Sequence, residues 1–233
     1  MPSREFVLAD EQPITVTRSK RSKNLRISIA SDGRVRVSIP SWMPYRQGLE
    51  FAKQKSEWIS ANRHTAPLVI TEGHIGKSYM ISFLHAEEAK PRARVSGNDV
   101  IVKIPYGATI DSEDVQSTAQ KACIRALKSE ASTLLPIRLE VLAKRHGFEY
   151  RSLKIKHLTG RWGSCSSSKD ITLNCLLMQL TWQEIDYVIM HELVHTKNMS
   201  HNKLFWDELG LLVNNMKEIK HKMKTRRPIL QSN

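Results

Sequence analysis

The segment from Thr181 to His195 constrains the fold of this chain more than any other part of the sequence. Thr181 and Glu184 have the spacing of a T-x-x-E capping box, which predicts that a helix begins at this point. Apolar residues lie around most of the circumference of that helix; they are Ile185, Val188, Ile189, Met190, Leu193 and Val194. A helix that is apolar nearly all round is typical of a protein core, so the sequence predicts a buried helix here.

Two histidines and a glutamate on the same helix form the motif His191-Glu192-Leu193-Val194-His195. Positions i and i+4 project from one face of a helix, so both imidazoles can reach one metal ion. Glu192 points about 100° away from His191, which suits a base that acts on a metal-activated water. Burying such polar groups without partners costs on the order of several kcal/mol, so they must be paired or bound to a metal.

A candidate third ligand, His201, lies six residues after His195. The resulting spacing, HExxH-x5-H, equals that of the metzincin signature, with Asn198 where that signature has glycine. Asparagine tolerates the left-handed conformation that ends a helix, and Ser200 can cap a following helix that carries His201 in its first turn. The alternative is that His191 and His195 are hydrogen-bonded core residues and that His201 lies on the surface.

The first 110 residues have patterns that are typical of strands. Alternating apolar and polar residues predict strands at 14–18, 25–30 and 35–39. The turn residues Ser31-Asp32-Gly33 predict that the second and third of these form a hairpin. Residues 45–62 predict one helix, and further strands follow it.

The composition changes to a helical one, rich in Ala, Leu, Lys and Glu, over residues 112–146. Pro136 is predicted to kink or divide this helix, and Gly147 to end it. No internal repeat is evident, and we place the boundary between the two parts near residues 106–111. The predicted fold class is α+β: a β-rich N-terminal part, 1–110, followed by a domain, 111–233, that is built around the HExxH helix.

The chain is strongly basic, with 36 Lys and Arg against 23 Asp and Glu and a net charge of +13. A dense basic cluster near the C-terminus contains Lys217, Lys220, Lys222, Lys224, Arg226 and Arg227. Counterion release favours nucleic acid as a partner of such a surface. The alternative is an ordinary solvated surface, since no nucleic-acid recognition motif accompanies the charge.

Cysteine usage and the polarity of the first residues predict the compartment. The three cysteines are odd in number and lack CxxC spacing, which is typical of reduced thiols in a cytosolic protein. The opening MPSREFVLAD is too polar for a signal peptide, and no apolar run approaches the ~18–20 residues of a membrane span. We therefore expect a cytoplasmic protein without a membrane partner.

Several separated blocks of the sequence resemble one known family. In order, they are Arg161-Trp162-Gly163-Ser164-Cys165-Ser166, Ile171-Thr172-Leu173-Asn174, the stretch DYVIMHELVH over 186–195, His201, and Phe205-Trp206. This series resembles the YgjP-like metal-dependent hydrolases, also called the YgjP-like metallopeptidase domain. Those proteins are similar to minimal gluzincins (minigluzincins) and related to SprT-type proteases. The resemblance is densest over residues 151–206.

The resemblance implies roles for individual residues. His191, His195 and His201 would be the metal ligands, and Glu192 the catalytic acid/base. The fold would be similar to that of the small zincins, in which an edge strand runs antiparallel to the bound substrate just before the active-site helix. The residues that fall where this strand is expected, and that would contact substrate, are Ile171, Thr172, Leu173 and Asn174.

Two features near the motif allow more than one interpretation. Arg161 could bind a substrate carboxylate or phosphate as a bidentate fork, or form a salt bridge that orients the RWGSC loop. Cys165 and Cys175 are interpreted as buried thiols, because three histidines already leave only the open position that a catalytic zinc requires.

These observations predict a zinc-dependent hydrolase with one Zn²⁺ ion, or another divalent metal in its place. The expected activity is that of a metallopeptidase, which cleaves a peptide or protein substrate by metal-activated water with Glu192 as general base. Two alternatives remain open: hydrolysis of nucleotide phosphoanhydrides at the same metal site, and a non-enzymatic zinc module associated with nucleic acid.

Overall fold

A computed structural model of the chain describes residues 3–8, 13–20, 22–29, 33–62 and 69–232. The chain divides into two compact units, residues 1–68 and residues 69–233. None of the helices within these described ranges is both long and apolar enough to cross a membrane.

The N-terminal unit is built on a four-stranded sheet. Its strands are β1 (Ser3–Val7), β2 (Pro13–Ser19), β3 (Arg26–Ile29) and β4 (Val35–Pro40), in the order β1-β2-β4-β3. The central pair β2–β4 is parallel, and both outer pairs are antiparallel. The pairing of β3 with β4 confirms the predicted hairpin, whose expected turn at residues 31 and 32 lies outside the described residues.

Two helices, α1 (Tyr45–Gln54) and α2 (Ser56–Asn62), cover this sheet where the sequence predicted one. The alternating apolar residues of the central strands form the core with Ala52 and Ile59 of the helices. Helix α1 approaches the sheet closely at Gly48, where a Cβ atom would lie 2.7 Å from Val16 and 2.9 Å from Ile39. Glycine is therefore required for this packing.

A second four-stranded sheet opens the C-terminal unit. Its strands are β5 (Gly73–Ile75), β6 (Tyr79–Ala86), β7 (Arg92–Ser96) and β8 (Asp99–Pro105), in the order β5-β6-β8-β7. The parallel central pair and antiparallel outer pairs repeat the arrangement of the first sheet. The last strands of both sheets also match in sequence, Val35-Arg-Val-Ser-Ile-Pro40 and Val100-Ile-Val-Lys-Ile-Pro105. The chain thus contains a repeat that the sequence analysis did not detect.

Helix α3 (Glu113–His146) forms the centre of the C-terminal unit. The prediction that Pro136 divides this helix is wrong, because the helix is continuous through it. Proline removes one backbone hydrogen bond, whereas Leu127, Leu135 and Leu139 on both sides of it are fully buried and hold the helix in the core. The helix ends at Gly147 in a left-handed conformation (φ 65°), as predicted.

The remaining elements complete the C-terminal unit. They are β9 (Ser152–Lys156), β10 (Gly163–Cys165), β11 (Asp170–Asn174), a 3-10 helix (Cys175–Gln179), α4 (Trp182–Val194), α5 (Lys203–Leu212) and α6 (Met216–Thr225). The three strands form a sheet of order β10-β11-β9. The observed fold is mixed α+β with several sheets, as predicted.

The unit boundary of the structure and the predicted domain boundary lie at different places. The sheet β5–β8 shares one hydrophobic core with α3 and with α4, so the stretch 106–111 lies inside the C-terminal unit. The assignment of 1–110 and 111–233 as separate functional domains therefore stays a prediction.

Candidate active site

The capping box at Thr181 fixes the start of α4, as the sequence predicted. The backbone N–H of Glu184 donates to Thr181 Oγ1 (3.3 Å), and Glu184 Oε2 accepts from the Thr181 N–H (2.8 Å). From this start the helix runs through the core for thirteen residues, and nine of them are buried. His191 and Glu192 occupy its last turn, and His195 is its C-cap residue. The motif thus lies where a buried helix reaches its end.

Three histidine rings converge at this end of α4. The Nε2 atoms of His191 and His195 are 3.2 Å apart, those of His195 and His201 are 3.1 Å apart, and those of His201 and His191 are 3.0 Å apart. The three residues are thus a group that could hold a metal ion. Burial increases from exposed His201 through half-buried His191 to buried His195.

Hydrogen bonding among the rings cannot account for all three contacts. The Nδ1 of His195 lies 3.0 Å from the carbonyl oxygen of Asn198, which can only accept, so the proton is on Nδ1 and Nε2 presents its lone pair. Burial lowers the pKa of His191 to about 3, and it also lowers the pKa of His195, so both rings are neutral at neutral pH. Each Nε2 is either a donor or an acceptor, so at least two of the three must be of the same kind, and that pair cannot form a hydrogen bond.

A cation between the rings removes this conflict, and the spacing fits zinc. Two nitrogens bound tetrahedrally to zinc at 2.0–2.1 Å are about 3.3 Å apart. The observed separations of 3.0–3.2 Å are close to that value. The Oε2 of Glu192 is buried without a hydrogen-bond partner among the described residues, as occurs where a ligand or water is part of a site. The donor set therefore fits a zinc ion.

Aromatic side chains of α5 support the three histidines. The ring of Phe205, which is fully buried, lies within 4.6–4.9 Å of all three imidazole centroids. Trp206 stacks on His201 (5.6 Å, 25°), and its Nε1 donates to the His201 carbonyl oxygen (3.1 Å). These contacts hold His201, which no helix carries, against the other two rings.

The turn that carries His201 differs from the predicted one. Asn198 does not adopt a left-handed conformation; its side chain instead accepts from the N–H and hydroxyl of Ser200 (both 3.2 Å) and donates to Asn202 (2.7 Å). The N-cap of α5 is Asn202 rather than Ser200, and its side chain accepts from the N–H of Phe205 (3.0 Å). His201 therefore precedes the helix, where its ring can turn back towards α4.

Glu192 is buried beside the three rings and packs against strand β10. A Cβ atom on Gly163 would lie 2.7 Å from its Oε1 and 2.9 Å from its Cγ. Burial raises the pKa of Glu192 to about 8, and the positive charge of Arg161 opposes the rise. A carboxyl group with a pKa near neutrality is suited to proton transfer in both directions.

The expectation that Ile171–Asn174 forms an edge strand is wrong. Strand β11 lies in the middle of its sheet, paired with β9 in parallel and with β10 antiparallel. Its Ile171, Leu173 and Asn174 are fully buried, and both of its backbone edges are paired with neighbouring strands, so no edge is open for a substrate strand. The edge strand beside Glu192 is β10.

The cysteines lie outside the histidine group. Burial raises the pKa of Cys165 and of Cys175 to about 11, which disfavours the thiolate form that binds metals. Within the described residues the metal-binding group contains histidines alone, in agreement with the interpretation of these cysteines as thiols; Cys175 is buried as predicted, whereas Cys165 is only partly buried.

Comparison with protein families decides the relationship of this chain. Residues 23–226 match the model of the YgjP-like family, described as "YgjP-like, metallopeptidase domain". The chain belongs to this family. The match covers most of the length of both compact units, and it confirms the family that the RWGSC, ITLN and HELVH blocks indicated.

Solved metallopeptidase zymogens resemble part of this YgjP-like chain. Abylysin of Pyrococcus abyssi is 27% identical, and the likeness covers 37% of this chain and 89% of that one, with a TM-score of 0.33. Jannalysin of Methanocaldococcus jannaschii is 25% identical, with the same coverage and TM-score. No curated protein matches the chain.

The loop before β10 of the YgjP-like chain is held by a residue whose role the sequence analysis missed. The Asn174 amide donates to the carbonyl oxygens of Leu158 (2.7 Å) and Arg161 (2.9 Å), and its Oδ1 accepts from the N–H groups of Leu158 (3.3 Å) and Leu176 (3.1 Å). Arg161 itself is exposed, and the described residues include no carboxylate in a salt bridge with it. Asn174, and not an ion pair of Arg161, therefore orients this loop.

The structural roles of two residues of the YgjP-like site, Gly163 and Asn174, were not predicted from the sequence, for different reasons. Gly163 belongs to the RWGSC motif, but the motif does not indicate what the glycine is for. Only the packing of β10 against α4 shows that the absence of a side chain at Gly163 makes room for Glu192. Asn174 carried a signal: it is a polar residue within the apolar run Ile171–Leu177, and a fully buried asparagine must find hydrogen-bond partners.

Proposed function

We propose that this chain is a zinc-dependent metallopeptidase whose metal ligands are His191, His195 and His201 and whose general base is Glu192. The observation that carries the proposal is the convergence of three Nε2 atoms, 3.0–3.2 Å apart, beside a buried carboxylate on the same helical turn. Membership of a metallopeptidase-domain family supports the same reaction class.

Zinc in this position would supply Lewis-acid polarisation of a substrate carbonyl and activation of water. Glu192 accepts a proton from the attacking water and delivers it to the amide nitrogen that leaves when the C–N bond breaks. The Oε2 of Glu192, which has no partner among the described residues, is available for this transfer. His195 keeps its lone pair directed towards the other rings because Asn198 holds the proton on Nδ1.

Strand β10 is the surface on which we expect an extended peptide to bind. As the edge strand next to Glu192, it can add a substrate strand by backbone hydrogen bonds. This proposal replaces the earlier one for Ile171–Asn174. Peptides with N-methylated backbone amides test it: they would be cleaved more slowly than their parents if strand addition positions the substrate.

Metal analysis and parallel assays test the proposed activity. The purified chain is expected to hold one equivalent of zinc and to cleave a casein-type protein, and a chelator is expected to abolish cleavage. Glu192→Gln should keep the metal but lose a factor of about 10²–10⁴ in turnover, the range typical of a general base. Full activity of this variant would contradict the role of Glu192.

Phosphoanhydride hydrolysis is the second candidate, and one observation favours it. Arg161 is exposed, lies close enough to affect the pKa of Glu192, and has no carboxylate in a salt bridge with it among the described residues. Its guanidinium could bind a phosphate as a fork. Nucleoside triphosphates in the same assay, with the same chelator control, would distinguish this activity from peptide cleavage.

The third function considered, a non-enzymatic module with a structural zinc, is disfavoured. A structural zinc site fills all four coordination positions with protein ligands, whereas three histidines leave the fourth position open.

A further inference from the structure

We propose that the N-terminal unit carries a binding site for the phosphate backbone of single-stranded nucleic acid. The site is a cleft of about 430 Å³ between strands β1 and β2 and the first turn of α1. Its lining includes Arg4, Phe6, Arg18, Tyr45, Arg46 and Leu49, and we call it the arginine cleft. It lies wholly within residues 1–68, so it is independent of the histidine site and of the peptidase proposal.

Positive charge is concentrated in the arginine cleft. The guanidinium groups of Arg4 and Arg18 lie over one ring, that of Tyr45, at 5.0 and 4.5 Å from its centroid. Arg46 adds a third guanidinium, and the lining contains no acidic residue. Within the described residues no carboxylate is paired with any of the three arginines. An anion in the cleft would offset the repulsion among these charges.

The backbone and side chains of the arginine cleft are preorganised for binding an anion. Arg18 Nε donates to the Met43 carbonyl oxygen (3.1 Å), which holds this guanidinium on the Tyr45 ring. The N-cap residue of α1, Pro44, offers no side-chain hydrogen bond, and the first turn contains no acidic residue. The positive end of the helix therefore adds to the field of the arginines.

A phosphate polymer fits this unit better than a single phosphate group. Residues 1–68 contain twelve Lys and Arg against six Asp and Glu, so the positive charge extends beyond the cleft. Planar guanidinium groups bind phosphate oxygens in pairs. Trp42, which is 74% exposed and lies three residues before Tyr45, offers a ring on which an unpaired base can stack.

The basic cluster near the C-terminus is a weaker candidate for nucleic acid. Several of its charges are already engaged within the chain: Arg226 pairs with Glu184 (2.6 Å), Lys222 pairs with Glu218 (2.7 Å), and Lys220 lies over the ring of Trp206. Arg4 and Arg18 of the arginine cleft also contact a ring, but no carboxylate among the described residues neutralises the charges of the cleft, so the cleft is where we expect the nucleic acid to bind.

The test compares two double variants of the full chain that have equal net charge. Arg4→Gln with Arg46→Gln removes two arginines of the cleft. Arg26→Gln with Arg36→Gln removes two exposed arginines from β3 and β4 of the same sheet, outside the cleft lining. Fluorescence anisotropy would measure the binding of a labelled oligothymidylate to each over a series of salt concentrations. Melting midpoints would establish that both variants are folded.

The cleft variant should bind the oligothymidylate at least about tenfold more weakly. Its plot of log K against log salt should be shallower by about 1.4, since each phosphate contact on a single strand contributes about 0.7. The control should change affinity by no more than about twofold. The single variants Arg46→Glu, in the cleft, and Arg36→Glu, outside it, should show the same difference in affinity. They replace the double variants in the test if the cleft double variant does not fold.

Three results would overturn the proposal. The first is equal weakening by the cleft and control variants, which would indicate diffuse charge. The second is the absence of binding to the oligothymidylate at low salt. The third is tighter binding to a phosphorylated peptide or to phosphatidylserine vesicles than to the oligothymidylate, which would assign the cleft to another anion.

Discussion

The carboxylate of Glu192 lies directly against the backbone of Gly163. A Cβ atom on this glycine would approach Oε1 of the carboxylate to 2.7 Å and Cγ to 2.9 Å, closer than such contacts occur in proteins. The strand that borders the proposed peptide site therefore also fixes the position of the proposed general base.

The substitution Gly163→Ala should move the Glu192 carboxylate while leaving the three histidines in place. A displacement of about 1 Å in catalytic geometry can cost about 10²-fold in rate, so we expect a fall in kcat of at least about tenfold with unchanged zinc content. The matched control is Gly160→Ala, because a Cβ atom at that position meets nothing within 4 Å. Equal rates of peptide cleavage by both variants would show that the contact does not position Glu192.

Removal of the metal should destabilise the chain as well as inactivate it. A ligand that binds only the folded state stabilises it by about 4 kcal/mol at a thousand times its dissociation constant. We therefore expect a chelator to lower the melting midpoint of the wild type. His201→Ala should have a low midpoint that the chelator no longer changes.

Elemental analysis of the same samples provides the check on this prediction. His221→Ala is the control, since His221 is an exposed histidine of α6 outside the metal-binding group. It should retain one equivalent of zinc and respond to the chelator like the wild type. A His201→Ala variant with full zinc content would remove His201 from the ligand set.

The hydrogen bonds of the Asn174 side chain should contribute to the stability of the fold. In Asn174→Ala the carbonyl oxygens of Leu158 and Arg161 lose their donor. An unsatisfied buried group costs about 1–3 kcal/mol, and these two carbonyl groups belong to partly exposed residues, so unfolding in urea should show a total loss of about 2 kcal/mol. The exposed Asn214→Ala should change stability by less than about 0.5 kcal/mol. Equal stability of the two variants would mean that the loop is held by other contacts.

Local sequence signals predicted those parts of the structure that local interactions determine. The capping box at Thr181, the left-handed end of α3 at Gly147 and the pairing of β3 with β4 each depend on residues close together in the sequence. The convergence of His191, His195 and His201 was predictable for the same reason, because the whole group lies within eleven consecutive residues.

Features that depend on long-range packing were not predicted. Pairing of β11 with β9 on one side and β10 on the other places Ile171–Asn174 in the centre of a sheet, and no local pattern specifies which strand is the edge. Pro136 lies in a continuous helix because distant parts of the core cover both sides of it. The repeat of sheet topology was not predicted, because the sequence similarity between the two sheets is confined to β4 and β8.

The ion pair between Arg226 and Glu184 should stabilise the start of α4 in a pH-dependent way. Burial raises the pKa of Glu184, but hydrogen bonds from Thr181 and the charge of Arg226 more than offset this, so the pKa of Glu184 is lowered overall. A carboxyl group with a lowered pKa in the folded state stabilises the fold above its ordinary pKa, and this contribution is lost as the pH falls.

The variant Arg226→Gln should therefore be less stable than the wild type by about 1 kcal/mol near neutral pH, a modest value because Arg226 is 46% exposed and partly screened by solvent. The difference should shrink as the pH falls through and below about 4.3, the ordinary pKa of glutamate, since protonated Glu184 no longer attracts the guanidinium. Urea midpoints across this range measure it. Lys222→Gln, which breaks a more exposed pair with Glu218, should show a smaller effect at neutral pH. A deficit for Arg226→Gln that is constant with pH would show that packing, and not the charge of Glu184, is its cause.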